Sequence, residues 1–168
     1  MSFERFFRAS SYGMVACGVL ALAVAGGVGL WELLVFAALL ALSWRLAGTR
    51  WQLSERKALA VILLSLPLFY LDWTLNRGAA LAPGETHPSV AALAHFTLLL
   101  SLIKLFQTKT DRDWIFLYLI SFFQVLLAAG MTASLSFFLS LALYMFAAVV
   151  TVVCFELRKA ARVAPAGE

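Results

Sequence analysis

Lys104-Leu105-Phe106-Gln107-Thr108-Lys109-Thr110-Asp111-Arg112-Asp113-Trp114 is the densest polar stretch of this chain, and it joins two apolar runs, Val90–Phe106 and Trp114–Met131. A cation in the last turn of a helix complements the negative end of the helix dipole, which suits Lys104. Thr110 is a good N-cap, and Asp113 three residues on imitates a capping box with a shorter acid. Asp111 and Asp113 favour the positive start of the next helix. The stretch therefore reads as a cap-and-charge clamp that closes a helical hairpin. The sharper alternative is a docking site for a cytoplasmic partner, presented by Lys104, Lys109, Asp111, Arg112 and Asp113.

Working outward, the remaining gaps between apolar runs carry charge only alternately. Arg5 and Arg8 precede the first run; Arg45, Arg50, Arg56 and Lys57 follow the second; Arg158, Lys159 and Arg162 follow the sixth. With the three cations of the quoted stretch these make twelve of the 13 Lys and Arg, and the other gaps hold only Arg77. Basic residues stay on the cytoplasmic side of a membrane, so the alternation predicts six crossings with both ends inside. The composition agrees. Hydrophobic residues are 63% of 168 and the mean hydropathy is +0.92, too apolar for a soluble domain to cover with a polar surface. The net charge of +4 is spread over four short loops, which argues for orientation and attraction to anionic head groups and against nucleic-acid binding.

The predicted crossings are Ser11–Val28, Trp31–Leu46, Ala58–Leu75, Val90–Phe106, Trp114–Met131 and Leu135–Phe155. Each is long enough at 1.5 Å per residue, with the second and fourth short for a core of about 30 Å. Lipid offers the backbone no hydrogen bonds, and the runs do not alternate as barrel strands do, so the expected fold is all-α. Residues 1–160 form a six-helix transmembrane domain arranged as antiparallel hairpins, and 161–168 a flexible tail. Gly26-Gly27-Val28-Gly29 and Gly130-Met131-Thr132-Ala133-Ser134 are the tight turns; Asn76–Ser89 is an irregular external loop. Trp31, Tyr70 and Trp73 suit an outer aromatic belt, and Trp44, Trp51 and Trp114 an inner one. The alternative for the start is a cleavable signal peptide ending at Ala23-Val24-Ala25, which leaves five helices.

Near the outer face lie Glu32, Asp72 and His95. Ionisable groups in a bilayer are costly, so the three are candidates for one external polar pocket, against the plainer reading of interface residues at helix ends. The two histidines lack metal-ligand spacing, and neither a metal nor a cofactor is expected. Ser65, Thr97, Ser101, Tyr118, Ser121, Gln124, Ser140 and Thr151 offer hydrogen bonds between helices, and Pro67 is placed to kink the third. No chain of charges passes through mid-membrane, which counts against a pump. Cys17 and Cys154 fall towards the cytoplasmic half and both histidines do not, so a Cys–His nucleophile is not expected, nor is a disulfide.

The turn and the helix after it also resemble a known family. Lys104-Leu105 and Arg112-Asp113, then an apolar helix with Phe122 and Phe123 and Leu126-Leu127-Ala128-Ala129 before a short turn, are similar to the N-terminal membrane domain of bacterial TgpA-type transglutaminase-like proteins. That family's turn reads approximately Lys-Leu-Leu-Glu, a few basic residues, then Arg-Asp; Gln107 stands here in place of the Glu and removes a charge. The likeness is most specific over Ala94–Leu157. It implies a multi-pass protein of the bacterial inner membrane whose relatives carry a transglutaminase-like domain, with a Cys-His-Asp triad, outside the membrane after these helices. The chain is then expected to be a non-catalytic anchoring module, a fragment or a stand-alone relative, with the lipid bilayer and a covalently linked or separate transglutaminase-like domain as partners. The alternative is a small transporter or channel subunit using the pocket of Glu32, Asp72 and His95.

Overall fold

The computed structural model describes residues 3–46, 55–79, 88–107 and 110–163, without the side chains of 55, 56, 72, 76–79, 88, 89 and 161–163. The described residues form six helices: α1 Phe3–Val24, α2 Leu30–Leu46, α3 Glu55–Ala79, α4 Pro88–Phe106, α5 Asp111–Met131 and α6 Leu135–Val163. The architecture is all-α, as the apolar runs require. The helices overrun the apolar stretches at their charged ends, where water can reach the side chains. Thus α1 begins eight residues before Ser11, and α6 continues past the apolar run and past residue 160. Of the loop expected at Asn76–Ser89, α3 takes the first four residues and α4 the last two; Arg50, Trp51 and Lys109 lie outside the described residues.

The end of α1 shows why it stops short of Val28. Gly26 adopts φ +80°, a left-handed conformation, and the N–H groups of Gly26 and Gly27 donate to the carbonyls of Ala23 and Leu22. This is the Schellman pattern, in which a glycine without Cβ strain turns the chain out of the helix and satisfies its last carbonyls. The turn returns the chain at once into α2.

Contacts between helices fix their directions. Phe7 meets Trp114, Ser11 meets Tyr118 and Met14 meets Ser121, so α1 and α5 run parallel. Glu4 meets Arg158 and Ser10 meets Thr151, so α6 runs opposite to α1. Tyr12 meets Ser43, and Lys104 meets Asp113, so α2 opposes α1 and α4 opposes α5. Phe69 stacks on Phe96 at 5.0 Å where α3 lies along α4. Glu32 meets His95 and Ser43 meets the Leu105 carbonyl, so α2 and α4 run together; α1 and α5 thus point one way and α2, α4 and α6 the other, and the short connections on either side of α3 return the chain between α2 and α4. The described basic side chains Arg5, Arg8, Arg45, Lys57, Lys104, Arg112, Arg158 and Lys159 all fall at one end of the bundle, and Glu32 and His95 fall towards the other.

The packing corrects the expected series of sequential hairpins. The α5–α6 turn is tight, yet α6 lies chiefly along α1, and α1 rather than α6 is the main neighbour of α5 on that side. The reason is Gly18: a Cβ there would lie 2.5 Å from Ser121 Oγ, so only glycine lets α1 and α5 approach this closely. The α1 helix is the most enclosed, with Phe7, Val15, Val19, Ala21 and Leu22 fully buried. Trp114 is a second correction. It packs edge-on against Phe7 in the core at 3% exposure, because it lies on the face of α5 turned to α1, and is no interfacial anchor.

Outside this core the bundle is apolar on its surface. Leu64, Leu139 and Phe146 are each at least 70% exposed, among many large hydrophobic side chains on α2, α3, α5 and α6. Water does not tolerate such a surface, whereas lipid does. Four helices contain stretches long and apolar enough to cross a membrane: Phe3–Val24, Lys57–Leu75, Asp111–Met131 and Leu135–Ala160. The other two, α2 and α4, have 17 residues in Leu30–Leu46 and in the apolar stretch Val90–Phe106, about 25 Å at 1.5 Å per residue. They are the same two segments that the sequence marks as short. The chain has the build of a membrane protein.

Candidate functional site: the clamp at the basic end

Thr110 and Asp113 form a complete capping box at the start of α5. The Thr110 hydroxyl accepts from the Asp113 N–H at 3.3 Å and donates to Asp113 Oδ2 at 2.6 Å, while the Thr110 N–H donates to the same Oδ2 at 3.1 Å. The other carboxylate oxygen, Oδ1, accepts from Lys104 Nζ at 2.8 Å. One acid therefore caps α5 and ties it to the last turn of α4. The pair is largely sheltered, with side-chain exposures of 18% for Lys104 and 9% for Asp113. Asp113 sits just ahead of the apolar run that begins at Trp114. Burial works to raise its carboxyl, but the hydrogen bonds from Lys104 and Thr110 outweigh burial and hold it below the ordinary value.

A second clamp adjoins the first. Arg158 Nε donates to Glu4 Oε1 at 3.0 Å, its guanidinium lies 4.5 Å from the centre of the Phe7 ring, and its Nη1 is 3.3 Å from Asp111 Oδ1. The last contact is an ion pair by distance without hydrogen-bond alignment. Arg158 thus gathers the starts of α1 and α5 at the end of α6. Nothing local in the sequence marks it, since Glu4 and Arg158 are 154 positions apart.

The structure sorts the candidates of the quoted stretch. Lys104, Asp111 and Asp113 are engaged in the two clamps; Arg112 is exposed; Lys109 lies outside the described residues. Gln107 is buried, and its Oε1 has no hydrogen-bond partner among the described residues. At the opposite end, Glu32 and His95 do come together, with Nε2 of His95 3.3 Å from Glu32 Oε1. Glu32 Oε2 also accepts the Gly29 N–H at 2.9 Å and caps α2. Asp72 lies on α3 one turn beyond Phe69; its side chain is not described.

The polar residues inside the bundle divide in two. Gln124 donates to Ser101 at 3.0 Å and to the Thr97 carbonyl at 3.4 Å, Ser121 to the Met14 carbonyl, and Thr151 to the Ser10 carbonyl; Tyr118 meets Ser11 at 2.6 Å. These join helices, as expected of polar side chains in an apolar bundle. The hydroxyls of Ser65, Thr97 and Ser140 instead turn back to carbonyls three residues earlier on their own helices. A Ser or Thr hydroxyl reaches its own preceding turn without needing a neighbour, which is why residue type alone does not separate the two groups. Ser43, which carries no signal in the sequence, links Tyr12 and the Leu105 carbonyl and so joins α1, α2 and α4. Cys17 and Cys154 are free thiols, and among the described residues no group of three His, Cys, Asp or Glu is placed to hold a metal.

The chemistry available at the basic end is thus electrostatic and structural: two ion-pair clusters that lock helix ends into one face. No curated protein and no solved structure gives a match to the chain. The sequence model of the TgpA N-terminal domain does, over residues 12–167, which takes in α2 to α6 and all of α1 from Tyr12 on. The chain belongs to the TgpA N-terminal domain family.

Proposed function

We propose that this TgpA N-terminal module is a non-catalytic, six-span anchor in the bacterial inner membrane, with the basic end in the cytoplasm, which holds a transglutaminase-like domain on the opposite side. The observation that carries the reading is the gathering of basic side chains at one end of a bundle whose helices alternate in direction. Basic residues are retained on the cytoplasmic side. The transglutaminase-like partner, as a linked or separate domain, rests on the resemblance to TgpA-type proteins, and membership of the TgpA N-terminal domain family supports it. In this reading the clamps of Lys104–Asp113 and Arg158 hold the cytoplasmic helix ends together, and the exposed Arg112, which neither clamp uses, offers a charge to a partner from that turn.

The test is labelling of intact cells with a membrane-impermeant maleimide, in a background with Cys17 and Cys154 replaced. Ala133→Cys, in the α5–α6 turn, is expected to label from outside. Ala160→Cys, on α6 at the basic end, is expected to label only after permeabilisation. The reverse pattern, or labelling of both sites from one side, overturns the reading.

A further inference from the structure

Helices α2 and α3 both pack on α4 and, among the described residues, not on each other. Between them the outward face of α4 carries two adjoining clefts, of about 270 Å³ against α2 and about 200 Å³ against α3. His95 and Leu99 line both, so the two form one trough. Its floor runs from His95 through Leu99 to Leu102, about 10 Å along the helix axis at 1.5 Å per residue, and is apolar below His95. Its ionisable groups gather at the head: Glu32 on one bank and His95 on the floor, 3.3 Å apart and 42% and 36% exposed, while the Ser65 hydroxyl on the α3 bank donates to the Ile62 carbonyl. Trp31, 76% exposed, stands beside them where an interfacial anchor belongs. This end of the bundle is also the one without the basic clusters, so Glu32 there is not masked by neighbouring described cations.

A trough that is polar at the interface and apolar with depth fits an amphiphile lying along the membrane normal. The pair at its head further selects the head group. Glu32 offers a carboxylate oxygen to an ammonium, and His95, whose Nε2 lies 3.3 Å from Glu32 Oε1, offers a ring N–H to a phosphate oxygen. A head group that carries an ammonium next to a phosphodiester replaces the contact between the two residues with one contact to each, the ammonium to the Glu32 carboxylate and the phosphodiester to the His95 ring N–H. We infer that the trough between α2, α3 and α4 is a binding site for one phospholipid with a zwitterionic amino-phosphate head, read by Glu32 and His95 and seated by its acyl chain over Leu99.

The experiment is native mass spectrometry of the full chain in detergent, titrated with phosphatidylethanolamine and, separately, with phosphatidylglycerol of the same acyl chains. The expected result is a one-to-one adduct that half-saturates at about tenfold lower phosphatidylethanolamine than phosphatidylglycerol, a difference of about 1.4 kcal/mol. Glu32→Gln keeps an oxygen for the Gly29 cap but removes the charge, and is expected to abolish that preference. Leu99→Trp fills the trough and is expected to lose the saturable adduct with both lipids. Equal binding of the two lipids by the wild-type chain, a preference for phosphatidylglycerol, or an unchanged preference in Glu32→Gln overturns the proposal. The wild-type comparison decides by itself if either variant fails to fold.

Discussion

Replacing Asp113 tests the clamp most directly, because one carboxylate serves both the α5 cap and the tie to α4. Asp113→Ala removes the Lys104 contact at 2.8 Å and both hydrogen bonds that Oδ2 takes from Thr110. A charge-assisted hydrogen bond contributes about 1.5–3 kcal/mol, discounted here because Lys104 retains some exposure, and a cap contributes about 1 kcal/mol. The ammonium left behind is poorly solvated, which adds to the loss. The expected total is about 2–3 kcal/mol. Asp113→Asn keeps an oxygen for the Thr110 N–H and loses the charge, so it is expected to fall about halfway. Equilibrium unfolding in mixed micelles with increasing SDS reads the difference, with the exposed Arg112→Ala as a control expected to stay within about 0.5 kcal/mol of wild type. A cycle of Lys104→Met, Asp113→Ala and the double variant isolates the pair, with a coupling of about 1–2 kcal/mol expected. Acid supplies an independent check. The folded carboxyl lies below its unfolded value, so its contribution is complete above pH of about 4 and is lost as pH falls through the folded value. Lys104→Met is expected to flatten that acid limb. The reasoning is refuted if Asp113→Ala behaves as the Arg112 control does, or if the cycle shows no coupling.

Two further perturbations probe the core and the second clamp. Gly18→Ala places a methyl 2.5 Å from Ser121 Oγ and is expected to cost about 1–3 kcal/mol, partly recovered by Ser121→Ala, whereas Gly13→Ala, with nothing within 4 Å, is expected to be neutral or slightly stabilising in the same unfolding assay. Arg158→Gln releases Glu4 and Asp111, and hydrogen exchange over residues 3–8 is expected to speed up while exchange at mid-α5 stays unchanged; equal protection across the first two turns of α1 would rule out the clamp.

Much of this protein is legible in its residues alone. Apolar runs of this length exclude everything but helices in lipid, and the alternation of basic gaps orders them, because both effects depend on residue type and spacing along the chain. The Thr110–Asp113 box is equally readable, since a cap acts over three residues, and so is the turn that resembles the TgpA family, whose membership the match over 12–167 shows. What lies beyond reach depends on which helix faces which. Trp114 looks like an interfacial tryptophan until α1 is found against it, and the second role of Arg158, beside its place among the basic residues, shows only when Glu4 and Asp111 stand beside it. In lipid nearly every face of such helices is apolar, so periodicity does not tell the packed face from the exposed one. Gly18 settles the matter between α1 and α5, and a single missing Cβ acquires that meaning only with Ser121 in place across from it. The sequence by itself determined the helices, their number and the cap of α5, because these are local; the neighbours of α1, the clamp at Arg158 and the trough over His95 were decided by tertiary packing, because each is made by side chains far apart in the chain.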